Sequence, residues 1–415
     1  MSVPRILAPK PQLPADGWLL LAGRTLRLFA YGALSVVLVL YLTGLGLSAA
    51  ATGLLLTLTL IGDTAVSLIL TTRADRFGRR RTLLVGAVLM AAAGLVFAAT
   101  HNFAALLVAA TIGVISPSGN EVGPFLAVEQ AALSQVVSPS ARTGTFAWYT
   151  MAGALATAAG SLSGGFLSQV LGAHSGSPVG GYRGVVVLYA VCGIALAGVF
   201  SLASPAVEVH RNPRAPNATW GIETSHGVIW KLSSLFAIDA FGGGFVVQSF
   251  AAYWFYLRYA VEPATLGGIF FVANLLAGLS ALVAARLAGR FGLIRTMVFT
   301  HLPSNILLIL VPLMPNLPLA VAVLFARFSI SQMDVPTRQS YVMAVVKPAE
   351  RSAAAGITGV ARTTGAAIAP VFAGWMFSHP RLENVPFILA GSLKIIYDLL
   401  LYRGFAGIRP EEPST

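Results

Sequence analysis

Cysteine occurs once in the 415 residues, at Cys192, so no disulfide can form within the chain. Charge is almost as scarce. Asp, Glu, Lys and Arg make up 10% of the residues against 56% hydrophobic ones, where a soluble domain carries about 25% charged residues. Acids are the rarer sign, 15 against 27 Lys and Arg, which gives a formal charge of +12. That surplus does not point to nucleic acid, because the bases fall in short connections between apolar spans and form no stripe. The six His show no HxxxH spacing, which excludes the commonest helical metal motif. No Walker loop is present, so ATP drive is not expected. No nucleophile–base set emerges, and we expect neither an enzyme nor a cofactor. The segment Met1 to Trp18 holds four prolines and no apolar core. It does not read as a cleaved signal peptide, so the first apolar span is expected to direct insertion.

What the chain has in abundance is apolar length. A run of about 20 residues suffices to cross a membrane. Twelve spans are expected, at about 25–45, 50–72, 82–100, 103–135, 144–171, 184–203, 229–257, 265–286, 295–314, 317–345, 352–378 and 385–404. Between the second and third lies a knot of charge, Thr71 to Thr82, with Arg73, Arg76, Arg79, Arg80 and Arg81 around Asp75. An Arg-rich short loop marks the cytoplasmic side of a membrane. With the N-terminus inside, 20 of the 27 Lys and Arg fall on the cytoplasmic face, Arg24 and Arg27 among them. Only Arg183, Arg258 and Arg381 fall opposite. Both termini are therefore expected to be cytoplasmic.

The chain repeats itself. Arg286 to Thr296 is a weaker copy of the charged loop, 214 residues on, sharing Arg-Phe-Gly and a later Arg-Thr. Leu28-Phe29-Ala30 returns as Leu235-Phe236-Ala237, and Val128 to Arg142 matches Thr337 to Arg351. Residues 204–228 are polar and carry Pro205, Pro213 and Pro216. They read as a cytoplasmic linker between an N-terminal bundle, 1–203, and a C-terminal bundle, 229–415. Six spans plus six with parallel repeats is the layout of a secondary transporter.

The segment Thr71-x-x-x-Asp75-Arg76-x-Gly78-Arg79-Arg80 resembles the signature loop of the major facilitator superfamily, with Thr71 where that family has Gly. The resemblance covers nearly the whole chain. It implies an all-α polytopic membrane protein, twelve helices in two six-helix bundles related by pseudo-two-fold symmetry, acting as a monomer on a small-molecule substrate. It implies that Asp75, Arg76, Gly78, Arg79 and Arg80 stabilise one conformational state. The Asp would cap a helix of the other half, and an Arg of the loop would pair with an acid of span four, here Glu129. Arg338 stands at the repeat position of Glu129. The competing reading of these Arg residues is that they are topology anchors alone. Gly160-Ser161-Leu162-Ser163-Gly164-Gly165 resembles the span-five pattern of antiporter-type exporters without its proline. Pro370 lies at the repeat position in span eleven. Together with Gly242, Gly243 and Gly244 these are the expected flexing points, small-residue packing being the alternative.

Ionisable residues inside apolar spans are costly and mark candidate sites. Here they are Asp63, Glu121, Glu129, Asp239, Arg327, Asp334, Arg338, Arg362, Lys394 and Asp398. Glu121 sits with Asn120 in a polar, helix-breaking stretch, Ser116 to Pro124, and would lie about 12 Å from Glu129 along a helix. Asp239 precedes the triple glycine. Desolvation disfavours the charged form of an acid, so Glu121 and Asp239 are the candidate proton carriers, with Asn120, Arg327 and Asp334 as further binding candidates. Asp334 is expected to pair with Arg338, Lys394 with Asp398, and Asp63 with Arg362. The aromatics Tyr253 to Tyr256, like Trp148 and Tyr149, read first as membrane anchors. The function expected is proton-coupled export of a small organic compound across the cytoplasmic membrane. The alternatives are a proton-coupled uptake symporter and an ion or divalent-metal transporter.

Overall fold

The apolar runs are long enough to close whole helices, and helices dominate the computed structural model. It describes residues 13–138, 142–208, 225–347 and 350–407. The side chains of Asp75, Arg76, Thr143, Ala285 and Ser352 lie outside the described residues, as do Arg5, Lys10, Arg211, Arg214, Arg409 and most of the expected linker. The helices are α1 (Ala15–Gly44), α2 (Ala49–Phe77), α3 (Arg79–Ala99), α4 (Phe103–Ile112), α5 (Phe125–Val136), α6 (Arg142–Ser175), α7 (Pro178–Ser201) and α8 (His226–Gly244). They continue as α9 (Gln248–Tyr259), α10 (Pro263–Phe291), α11 (Leu293–Leu310), α12 (Leu317–Phe328), α13 (Asp334–Val345), α14 (Arg351–Phe377) and α15 (Val385–Phe405). Among the described residues nine segments are long and apolar enough to cross a membrane, and α4 and α12 are shorter apolar helices.

Three of the expected spans are discontinuous: α4/α5, α8/α9 and α12/α13. Each break has a local cause. Between α4 and α5, Gly119 and Gly123 take positive φ of 71° and 80°, beside Pro117 and Pro124. After α8 the run Gly242-Gly243-Gly244 weakens the helix, and α9 restarts at Gln248. The break before α13 was not expected. No glycine lies in 329–333, but Pro336 denies the chain a backbone donor and its ring crowds the carbonyl of Gln332 four residues back. The amide of Gln332 is met instead by Ser280 Oγ at 3.3 Å.

The chain divides into two compact units. The first comprises Met1–Leu45, Gly62–Asn212 and Pro263–Phe271; the second comprises Gly46–Ile61, Pro213–Glu262 and Val272–Thr415. Helices α2 and α10 thus each contribute to both. In the first unit the most extensive packing is α1 on α6, and in the second α8 on α14. Both contacts are made backbone to backbone. A Cβ on Gly160 or Gly164 would strike the carbonyl of Phe29 or Ala33, and one on Gly365 would strike that of Ala237. Because α6 runs unbroken through Gly160, Gly164 and Gly165, these glycines serve close packing where flexing was expected. Gly165 likewise packs against Gly267. Pro370 lies inside a continuous α14.

The two copies of Arg-Phe-Gly end α2 and α10 in the same way. Gly78 and Gly292 follow them with φ of 106° and 86°, conformations that side chains resist. The freed N-terminus of α3 is then capped from the linker side. Glu208 accepts from the backbone N–H of Arg79 at 2.7 Å and of Arg80 at 3.2 Å, a favourable place for a carboxylate. Asp16 holds the preceding turn, accepting from Ser204 N–H at 2.8 Å and Ser204 Oγ–H at 2.6 Å.

Candidate functional site

Each unit encloses a cluster of charged side chains. In the first, Arg24 and Arg27 stand three residues apart on one face of α1. Arg27 is fully buried and grips two acids at once. Its Nη1 lies 2.6 Å from Glu129 Oε1, its Nη2 2.9 Å from Glu129 Oε2 and 3.1 Å from Glu121 Oε2. Arg24 Nη1 reaches Glu121 Oε1 at 2.5 Å. Tyr149 of α6 donates its hydroxyl to Glu129, and its ring lies 4.1 Å under the Arg24 guanidinium. Phe125 backs Arg27 at 4.4 Å. Two cations thus balance two carboxylates, the condition for keeping charge out of water.

This geometry corrects several expectations. Glu129 pairs with Arg27, and Arg79 instead donates to Gln135 at 2.9 Å. Glu121 does not lie a helical 12 Å from Glu129, because residues 113–124 are not helical and both carboxylates meet the same guanidinium. Arg24 and Arg27, counted as loop cations, are buried site residues. Tyr149 is buried rather than an interfacial anchor. Asp63, expected opposite Arg362, accepts from the Gly123 N–H at 2.7 Å and pins the broken stretch. Asn120 is exposed, and its carbonyl accepts from Ser116 at 2.7 Å. Asp75 and Arg76 were placed in the gate, and their side chains lie outside the described residues. The cap that Asp75 was expected to place on a helix of the other half lies outside the described residues with it.

In the second unit the polarity reverses. Asp239, on the first helix of the repeat, is the acid, and Arg338 on α13 is the base, 3.0 Å apart. The same helix pair therefore carries base-to-acid contact in one unit and acid-to-base in the other. Arg338 also holds Asp334 at 3.1 Å, the expected pair. Lys394 reaches Asp239 Oδ1 at 2.6 Å and does not pair with Asp398. Asp398 instead accepts from His301 and Asn305 of α11, each at 2.9 Å. The triple glycine leaves room for this. The Lys394 chain passes Gly242 and Gly243 where a Cβ would touch it. Arg327 lies over the Phe328 ring, and Arg327 Nε and Arg362 Nε are buried without a hydrogen-bond partner among the described residues. Trp254, read as an anchor, is buried and donates to Asn384 at 2.9 Å. Among the described residues no three His, Cys, Asp or Glu side chains converge as a metal site.

His301 and Asn305 were missed because neutral side chains do not stand out in an apolar run. The available signal was their spacing of four, which places them on one face of a helix.

Two units of membrane-length helices, three of them broken beside buried charge clusters, define a polytopic transporter fold. The sequence pattern described as Major Facilitator Superfamily matches residues 20–330 and 259–415, and the chain belongs to that superfamily. It is 31% identical over 421 residues to the uncharacterized membrane protein YJR124C of Saccharomyces cerevisiae, covering 94% of each. Its fold is similar to that of a bacterial homologue of the human lysosomal transporter Spinster, with a TM-score of 0.72 at 17% identity over 96% of both chains. It is also similar to the nucleoside transporter NupG, with a TM-score of 0.71 at 13% identity over 95% of this chain and all of that one. A bacterial homologue of the iron transporter ferroportin gives 0.69 at 14% identity, over 94% and 98%.

Proposed function

We propose that this chain is a secondary active transporter that uses a proton gradient to export a small organic molecule by alternating access. The observation that carries this reading is the pair of buried, mutually compensated ion clusters on discontinuous helices. Unwound backbone at membrane depth is tolerated where it is buried in protein or lines a cavity, and broken helices are where transporters of such repeats place substrate and coupling ion. Ion pairs of this kind are two-state elements. A proton or a charged substrate that engages one partner shifts the balance between packings by its differential affinity for them.

Glu121 and Asp239 are the acids through which coupling would run, with Arg327 and Asp334 as further groups on the substrate path. Asp75, Arg76, Gly78, Arg79, Arg80, Glu129 and Arg338 form the gating set. Export rests on the resemblance of Gly160 to Gly165 to exporter sequences. The protein acts as a monomer in the cell membrane, with bundles 1–203 and 229–415 joined by residues 204–228. The test is a thermal-stabilisation screen of nucleosides, organic anions and organic cations, followed by flux of the hits in proteoliposomes under an imposed pH gradient. Flux that follows the gradient supports coupling, and its sign separates export from uptake. Flux indifferent to the gradient overturns proton drive.

A further inference from the structure

His301 is the one buried imidazole described in the second cluster, and its two ring nitrogens face different acids. Nδ1 lies 2.9 Å from Asp398 Oδ1, and Nε2 lies 3.8 Å from Asp239 Oδ1. A carboxylate only accepts, so Nδ1 carries the hydrogen of the neutral ring and the lone pair sits on Nε2. Asn305 lies beside both groups, its Nδ2 3.2 Å from His301 Nδ1. Its Nδ2 donates to Asp398 Oδ2 at 2.9 Å and holds that carboxylate against the ring. The Tyr397 ring closes edge-on at 5.9 Å.

The position open to a proton is therefore Nε2, directed at Asp239. The same oxygen, Asp239 Oδ1, accepts from Lys394 Nζ at 2.6 Å. A proton taken from water onto Nε2 creates a second N–H donor for that one oxygen. The loaded ring, on α11, would compete with Lys394, on α15, for that oxygen of α8. The charged and titratable groups around the ring are Asp239 from α8, Lys394, Tyr397 and Asp398 from α15, and Asp334 and Arg338 from α13. On α12 the only charged residue is Arg327.

We propose that His301 carries the coupling proton, with Asp398 and Asn305 as its positioning residues and Asp239 as the acid its loaded form engages. This rests on the proton-coupled reading and assigns the carrier to a residue outside the acids first considered. The test uses the full chain in nanodiscs, with Cys192→Ser and nitroxide labels at Trp18→Cys and Trp230→Cys, both exposed positions. Their separation is measured between pH 5 and 9. In the labelled background the distance distribution shifts with pH, His301→Gln abolishes the shift, and His174→Gln, at an exposed position, retains it. Asp398→Asn removes the anion that favours the loaded ring, so its midpoint moves to the acid side. A His301→Gln protein that keeps the background profile overturns the proposal and leaves proton coupling standing. A background with no pH response overturns proton coupling and the proposal with it. Should His301→Gln not fold, unchanged midpoints in Asp398→Asn and Asn305→Ala overturn the proposal.

Discussion

Arg27 serves two carboxylates with one guanidinium, and this makes it the most sensitive single residue of the first unit. Arg27 and Glu129 are both 0% exposed at their side chains. Removing one partner leaves an uncompensated buried charge, which costs about 3–5 kcal/mol, whereas replacing both by apolar residues is often neutral. Arg27→Leu is therefore expected to lower stability in detergent by about 3–5 kcal/mol. Adding Glu129→Leu should recover a large part of that loss, and a double-mutant cycle by denaturant unfolding measures it. Additive losses would show that the pair is not coupled. The acids of this site were legible because an ionisable side chain stands out in an apolar run. Its bases were not. The first span was expected to begin near residue 25, but α1 starts at Ala15, so Arg24 fell just outside the assumed hydrocarbon segment, Arg27 at its edge, and both were counted as loop.

At the scale of the element, glycine does two separate jobs. Gly78 and Gly292 turn corners, and Gly32, Gly160 and Gly164 let α1 and α6 touch backbone to backbone. The second job is rigid. The atoms a side chain at Gly164 would meet are the carbonyl and Cα of Ala33, and neither can rotate away. Gly164→Val is expected to cost about 1–3 kcal/mol as overpacking. Gly198→Ala in α7, where a Cβ meets nothing within 4 Å, should stabilise by about 0.5–1 kcal/mol. Thermal unfolding of the two variants side by side reads the difference, and equal melting would refute the packing role. The cap on α3 gives a third expectation. Glu208→Ala leaves the N–H groups of Arg79 and Arg80 without their carboxylate and should lose about 0.5–2 kcal/mol. Faster amide exchange at Arg79 and Arg80 localises the effect. The breaks in spans four and seven were legible in glycine and proline. The break before α13 was not, because its cause is a proline placed after the gap, a position that helix starts also favour.

At the scale of the whole molecule, the twelve-span layout and the two-fold repeat were legible because hydrophobic length and Arg placement are strong, local signals. Side-chain partners were not, since the pairing of Lys394 with Asp239 and of Asp398 with His301 depends on which faces of α8, α11 and α15 meet. One global property remains open to a direct test. The orientation rests on Lys and Arg at the water-facing ends of the spans, so Arg24 and Arg27, buried in a charge cluster within α1, no longer count toward it. A wide excess persists, because Arg73, Arg79, Arg80 and Arg81 cluster at the α2–α3 corner and Arg290 and Arg295 flank the α10–α11 corner, while only Arg183, Arg258 and Arg381 mark the other side. In a Cys192→Ser background, Arg81→Cys and Arg295→Cys are expected to react with an impermeant thiol reagent only after sealed right-side-out vesicles are opened. Arg183→Cys and Arg381→Cys should react in intact vesicles. Because Arg81 and Arg295 belong to different units, agreement between them tests the repeat as well as the side. The opposite labelling pattern would invert the orientation. Opposite sidedness of Arg81 and Arg295 would mean that an odd number of crossings separates the two corners, which the parallel repeat forbids.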